Sequence, residues 1–104
     1  MRFVDPVRSR LRRQLLDRGQ VLATLLADVL AGKRIALAEA MPGKPGMRPE
    51  EKLRLALDQI ERRRALLDAD DVAFGRCDRC DVELGEAVLG EMPWADRCEA
   101  HAHL

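Results

Sequence analysis

The chain has 104 residues, no net formal charge at neutral pH and 35% charged residues. This length suits one domain, or a helical body with a small appendage, and the many Leu, Ala, Arg and Glu residues beside only three aromatic ones favour long amphipathic helices. No stretch reaches the roughly 20 apolar residues of a membrane span, and the first residues lack an apolar signal core, so we expect a cytoplasmic protein without membrane contact.

The charges are unevenly distributed along the chain. Residues 1–20 hold six arginines and two acids, whereas residues 68–99 hold ten acids and three arginines. If the two ends meet in space, they neutralise each other. The alternative is nucleic-acid binding through the N-terminal arginines, but these spread around a helix rather than forming one stripe, and the acidic segment opposes DNA. We therefore expect no direct sequence-specific binding to DNA.

The first predicted element is a helix over about residues 5–40. Asp5 can cap its start and Pro6 suits the first turn. Gly19 weakens the helix by about 1 kcal/mol, and Gly32 is a possible early stop, but residues 33–41 are rich in helix formers, so we predict that the helix continues. Apolar residues follow at helical spacing, some of them seven apart as in a coiled-coil seam, namely Val7, Leu11, Leu15, Leu22, Leu25, Leu26, Val29 and Leu30.

A turn and a second helix come next. Residues 41–48 are too rich in Pro and Gly for regular structure. Pro49 then opens a helix to about residue 72, with acids in its first turn and Leu53, Leu57, Ile60 and Leu67 as its apolar stripe. Two long helices joined by a short loop predict a mainly α fold, an antiparallel helical hairpin (coiled coil) over residues 1–73. The N-terminal turns of the longer first helix should then pack beside the segment that follows Phe74.

The C-terminal residues 74–104 carry two pairs of metal-ligand candidates. Cys77 and Cys80 are separated by two residues, and after seventeen more residues Cys98 and His101 repeat that spacing. This pattern suits one tetrahedral Zn²⁺ per chain, and four protein ligands would make the site structural rather than catalytic. His103 competes with His101 as the fourth ligand. Two further alternatives remain: three free or buried thiols without a metal, or a redox dithiol of Cys77 and Cys80.

The same segment resembles a known zinc finger. The run Phe74-Gly75-Arg76-Cys77-Asp78-Arg79-Cys80, followed by Leu84-Gly85, Leu89, Pro93 and Cys98, is similar to the zinc finger of the DksA/TraR family. The similarity covers about residues 66–101 and is only architectural before them. Three positions depart from the family pattern: Asp81 replaces a usual glycine, Val88 a usual arginine, and His101 a usual fourth cysteine.

The resemblance implies a bacterial transcription regulator. Family members bind RNA polymerase by protein–protein contact and insert a coiled-coil tip into its secondary channel, often together with ppGpp and without reading DNA sequence. Their best-known tip carries Asp-x-x-Asp-x-Ala, which the turn of this chain lacks. The candidate contact residues here are instead mostly basic or apolar: Glu39, Met41, Lys44, Met47 and Arg48. The alternative for this turn is a plain solvated loop.

Two other classes of function are alternatives to a transcription regulator, namely an interaction module and an enzyme. A zinc-stabilised helical module for another partner, or for self-association, would use exposed heptad positions and Trp94 as its interface, although Trp94 can also serve to cover the zinc site. An enzyme is not expected, because the chain shows no Ser/His/Asp set and no phosphate loop, and because the predicted metal site is closed.

Overall fold

The computed structural model describes residues 3–34 and 46–101. Over these residues the fold is mainly helical, with α1 at Asp5–Leu30, α2 at Pro49–Asp68, a short α3 at Glu86–Glu91 and a 3₁₀ turn at Glu99–His101. The two long helices pack against each other. Among the described helices, none combines the length and apolar character that crossing a bilayer requires.

Both long helices have a proline in their first turn, where a backbone N–H would have no partner within the helix. Pro6 lies in the first turn of α1, and Pro49 is the first residue of α2. The prediction that Asp5 caps α1 was wrong, because Val4 occupies the capping position and no side-chain capping bond forms. Asp5 is the first helical residue, where its carboxylate still interacts favourably with the helix dipole.

The first helix ends at Leu30, not near residue 40 as the sequence predicted. Gly32 has a φ of +86°, in the left-handed region that glycine adopts at low cost. Its N–H donates to the carbonyl of Val29 at 3.0 Å, and the N–H of Lys33 donates to Asp28 at 3.0 Å. This is a Schellman ending, which stops the helix before the helix formers that follow. Residues 35–45, which include the rest of the predicted helix and most of the predicted turn, lie outside the described residues.

The second helix ends at Asp68 by the same device, four residues before the predicted end at residue 72. Asp70 has a φ of 56°, and its N–H donates to Leu67 at 3.1 Å. The N–H of Asp71 donates to Leu66 at 2.9 Å. An aspartate tolerates this left-handed conformation better than most residues, so no glycine marks the stop in the sequence.

The core lies between α1 and α2. Its buried leucines and isoleucine come from both helices: Leu11, Leu15, Leu22, Leu53, Ile60 and Leu67. Gly19 faces α2, where a Cβ built on it would make an ordinary contact of 3.5 Å with Cγ2 of Ile60. Burial of each of these large apolar side chains stabilises the folded state by about 1.5–3 kcal/mol. The apolar spacing of both helices therefore identified most of the faces that pack together, but Leu30, which was predicted on the apolar face of α1, is 57% exposed.

The N-terminal half of α1 contacts the end of α2 and the segment after it. Phe3 meets Phe74 edge-on, with ring centroids 5.7 Å apart and planes at 82°. Arg8 donates to the carbonyls of Leu67 and Asp68 at 2.9 and 2.8 Å, which satisfies acceptors that the helix end leaves open. The basic end of the sequence therefore meets the beginning of the acidic segment.

Candidate metal centre

The first half of the site is a tight turn from Cys77 to Val82. The N–H of Asp81 donates to the carbonyl of Cys77, and the N–H of Cys77 donates to Val82, each at 2.9 Å. The N–H of Arg79 points at the Cys77 sulfur at 3.5 Å. The closed turn brings the sulfurs of Cys77 and Cys80 to the same side of the chain.

Asp81 explains how this turn closes without a glycine. Its φ is 64°, in the left-handed region. Glycine suits this position best, and aspartate is among the few other residues that occupy it routinely. Asp81 can therefore close the turn where a glycine would be the least strained residue.

The second half of the site returns through α3 and the 3₁₀ turn. The segment between the two halves contains the helix α3, which buries Leu89. The N–H of Asp78 donates to the carbonyl of Asp96 at 2.8 Å and joins the two halves. The 3₁₀ turn then places His101 beside Cys98, with the His101 N–H donating to the Cys98 carbonyl at 3.0 Å.

The four predicted donors come together in space. One donor atom from each of Cys77, Cys80, Cys98 and His101 lies within 4.8 Å of all the others. The Cys80 and Cys98 sulfurs are 3.7 Å apart, and Nδ1 of His101 lies 3.7 Å from the Cys77 sulfur and 3.1 Å from that of Cys98. These residues could hold a metal ion.

The distances can be compared with those of tetrahedral zinc. With Zn–S near 2.3 Å and Zn–N near 2.0 Å, two sulfurs lie about 3.8 Å apart, and a sulfur and a nitrogen about 3.5 Å apart. The two 3.7 Å separations agree with this geometry, and the 3.1 Å separation is shorter. All three cysteines are free, and the 3.7 Å gap between Cys80 and Cys98 exceeds the roughly 2 Å of a disulfide bond.

Local electrostatics favour one thiolate over the others. Burial raises the pKa of Cys77, but backbone N–H groups at Cys98, Cys80 and Arg79 outweigh it and lower that pKa to about 6. The backbone at Val82 lowers the pKa of Cys80, but burial and the neighbouring sulfurs raise it overall above its ordinary value. A thiolate at Cys77 is the ionised form that a metal binds.

The donors differ in their access to water. Cys77 is buried, Cys98 and His101 are half-buried, and Cys80 is exposed. His103, the competing fourth ligand, lies outside the described residues. The structure places His101 beside the three sulfurs.

Two of the five candidate partner-contact residues are described, and both directly precede Pro49, the first residue of α2. Met47 is half-buried just before α2, and Arg48 is the exposed capping residue of α2, paired with Glu51 at 3.0 Å. The remaining three, Glu39, Met41 and Lys44, lie outside the described residues. Trp94 packs against the core, and the guanidinium carbon of Arg18 in α1 lies 5.0 Å from the centroid of its ring.

The sequence reasoning missed Arg63. This side chain of α2 is only 6% exposed, and it donates to the carbonyl of Ala73 at 3.2 Å. Burial lowers the pKa of Arg63, while the charges of Asp96 and Asp78 oppose that effect. One signal could have identified it: Arg63 follows Ile60 by three residues and precedes Leu67 by four, so it lies on the apolar stripe.

Comparisons with known proteins gave no match to a protein-family model, to a curated protein or to a solved structure.

Proposed function

We propose that the cluster of Cys77, Cys80, Cys98 and His101 binds one structural zinc ion. The supporting observation is the set of donor atoms within 4.8 Å of one another, three of them sulfur. Thiolate and imidazole are the ligands that zinc prefers, and four of them complete a tetrahedron. Such a centre leaves no open coordination position, so its role is to fold residues 74–101 rather than to activate water or substrate.

Metal content tests this part of the proposal directly. Native mass spectrometry of the purified protein should show one zinc per chain, and a strong chelator should remove it. Cobalt(II) should replace zinc and give the visible absorption of a tetrahedral thiolate-rich site. A protein that stays folded without any metal and takes up none when zinc is offered would contradict the assignment.

The protein would then be a regulator that binds bacterial RNA polymerase by protein–protein contact. Support comes from the resemblance to DksA/TraR fingers together with the position of the cluster beside the paired helices. Arg8 of α1 meets the last turn of α2, and Gly19 faces Ile60 in its middle. This order of contacts favours an antiparallel hairpin, with the metal centre at one end and the turn near residues 41–48 at the other.

In this proposal the metal centre orients the hairpin and the turn enters the secondary channel of the polymerase. A family tip presents acids, whereas this turn offers Lys44, Arg48 and two methionines. Methionine adapts to irregular partner surfaces, and the basic residues suit an acidic surface. The expected action is therefore occupancy of the channel, without the effect that acidic side chains have on a magnesium-bound catalytic centre.

Binding to purified bacterial RNA polymerase tests the proposal, with and without ppGpp. Wild-type protein should bind, and Lys44→Glu should bind more weakly, because it reverses a charge in the turn. The matched control is Arg62→Glu, which makes the same charge change on an exposed face of α2 and should bind as the wild type does. No binding by wild-type protein at tens of micromolar, under either condition, would count decisively against polymerase as the partner.

A second candidate is a zinc-stabilised module for another partner or for self-association. The observation that favours it is an apolar pair at the end of α3, since Val88 is 43% exposed and Met92 is 46% exposed. Light scattering across a concentration series distinguishes the two forms of this candidate. A concentration-dependent dimer that Met92→Lys abolishes would favour self-association, whereas a constant monomer mass would exclude it.

A further inference from the structure

Arg63 is a buried charge between α2 and residues 74–101, the proposed metal-binding segment. Its side chain is only 6% exposed, and its guanidinium donates to the carbonyl of Ala73 at 3.2 Å. Ala73 immediately precedes Phe74, which is 1% exposed and begins the run that leads to Cys77. A charged group is rarely buried to this degree unless other charges compensate it.

The compensating charges belong to the metal-binding segment. Asp96 and Asp78 are the favourable electrostatic partners of Arg63, and the Cys77 sulfur acts on it in the same direction. The backbone bond from Asp78 to Asp96 joins the two halves of the site, so both carboxylates lie where the halves meet. Asp78 also pairs with Arg97 at 3.3 Å.

Loading the site adds negative charge to this region. Three thiolates and a neutral imidazole around a divalent ion leave one unit of negative charge in excess. In a partly buried site, this excess is stabilised by a nearby fixed cation more strongly than it would be in water. Arg63 is a cation already held in place there by its bond to Ala73.

We propose that Arg63 is a positioning residue of the metal centre, a buried guanidinium that holds the Ala73 carbonyl and compensates the negative charge of the loaded thiolate site. This inference rests on the zinc site of the proposed function, but not on polymerase as the partner. It predicts that zinc affinity, and not only fold stability, depends on the charge at residue 63.

The test compares zinc dissociation constants, measured by competition with a chromophoric chelator at neutral pH. Arg63→Met removes the charge but keeps an apolar side chain of similar length in the buried position. The matched control is Arg62→Met, which removes the same charge from the preceding residue of α2, where the side chain is 61% exposed. Outer partners of metal sites typically change affinity by about 10–100-fold, and we expect a loss in this range for Arg63→Met and a change within about twofold for Arg62→Met.

A purely structural role would give a different result. It would lower the thermal stability of the metal-free and zinc-bound proteins alike and leave the dissociation constant unchanged, which would overturn the proposal. If Arg63→Met loses its helical circular dichroism without metal, Arg63→Lys and Arg63→Gln replace it. The lysine variant should then keep most of the zinc affinity and the glutamine variant should lose it, and equal affinities would overturn the proposal. Failure of wild-type protein to bind zinc would instead refute the metal assignment itself.

Discussion

Phe74 offers the sharpest test of how the metal-binding segment is attached to the helices. Its ring is 1% exposed and contacts Phe3 edge-on at 5.7 Å between centroids. Replacing a buried phenylalanine by alanine removes its transfer free energy and leaves a cavity, which together cost about 3–5 kcal/mol. Of this, the aromatic pair itself accounts for about 0.5–1.5 kcal/mol. We therefore predict that Phe74→Ala lowers the free energy of unfolding by about 4 kcal/mol.

The assay is urea unfolding at a fixed, buffered concentration of free zinc, because zinc that binds the folded state adds to apparent stability. A double-mutant cycle with Phe3→Ala and Phe74→Ala isolates the contact between the rings, and we expect a coupling free energy of about 1 kcal/mol. Val72→Ala is the control, since Val72 is 69% exposed in the same segment and its replacement should cost less than about 0.5 kcal/mol.

Two results would refute the reasoning. A loss below about 1 kcal/mol for Phe74→Ala, comparable to an average substitution, would show that Phe74 does not fix the segment to the core. A coupling free energy near zero would show that the ring contact with Phe3 contributes nothing, even if Phe74 is buried.

Three further predictions concern the proposed ligand Cys98, the ionisation of Cys77 in metal-free protein, and the glycines at positions 19 and 32. Cys98→Ser should lose the zinc that we expect native mass spectrometry to find in wild-type protein, while far-ultraviolet circular dichroism stays largely helical, because most of the buried core residues belong to α1 and α2. In metal-free protein, thiolate absorbance in the ultraviolet should show one cysteine ionising at about pH 6, and Cys77→Ser should remove that step. Because the unfolded thiol keeps its ordinary pKa of 9.0, this contribution to stability is full above pH 9.0 and is lost as the pH falls through about 6. In thermal melts, Gly19→Ala should stabilise the protein by about 0.5–1 kcal/mol, since the new methyl makes only an ordinary contact with Ile60, whereas Gly32→Ala should destabilise it because of the left-handed backbone there.

Each of these predictions has a contradicting outcome. Full zinc occupancy in Cys98→Ser would exclude Cys98 as a ligand. Thiolate absorbance that rises only near pH 9.0 would show that the backbone N–H groups do not stabilise the Cys77 anion. Equal and positive effects of alanine at positions 19 and 32 would mean that α1 continues through Gly32.

The helix starts could be predicted from the sequence, but the helix ends could not. Pro6 and Pro49 act locally, because proline fixes its own φ and needs no N–H partner in a first turn. The ends depend on which residue takes the left-handed conformation. Gly32 was a candidate for the end of α1, but the helix formers that follow it favoured a longer helix. Asp70 is not a residue type that marks the end of a helix in a sequence. Propensity summed along a segment cannot decide a stop that a single residue makes.

The candidate metal ligands could be predicted from the sequence, but the buried charge of Arg63 could not. The spacing of Cys77, Cys80, Cys98 and His101 identified a set that the fold brings together, because both pairs follow from short local turns. Arg63 lies in a helix that also carries Arg54, Arg62 and Arg64, and its residue type suggested one more exposed charge. Only its place on the apolar stripe distinguishes it, and the carboxylates that compensate it come from residues far along the chain. Sequence patterns reveal short-range geometry better than long-range compensation of charge.

The arginines of the N-terminal segment bear on where a partner can bind. Arg8 donates to the α2 carbonyls, Arg12 pairs with Asp68 at 2.9 Å, and Arg18 lies over Trp94. These three cations hold α1 against the end of α2 and against Trp94, so this part of the basic start of the sequence serves an internal function. A nucleic acid would have to compete with those contacts for the same guanidinium groups. This favours a partner surface elsewhere on the paired helices, away from the guanidinium groups that these contacts occupy.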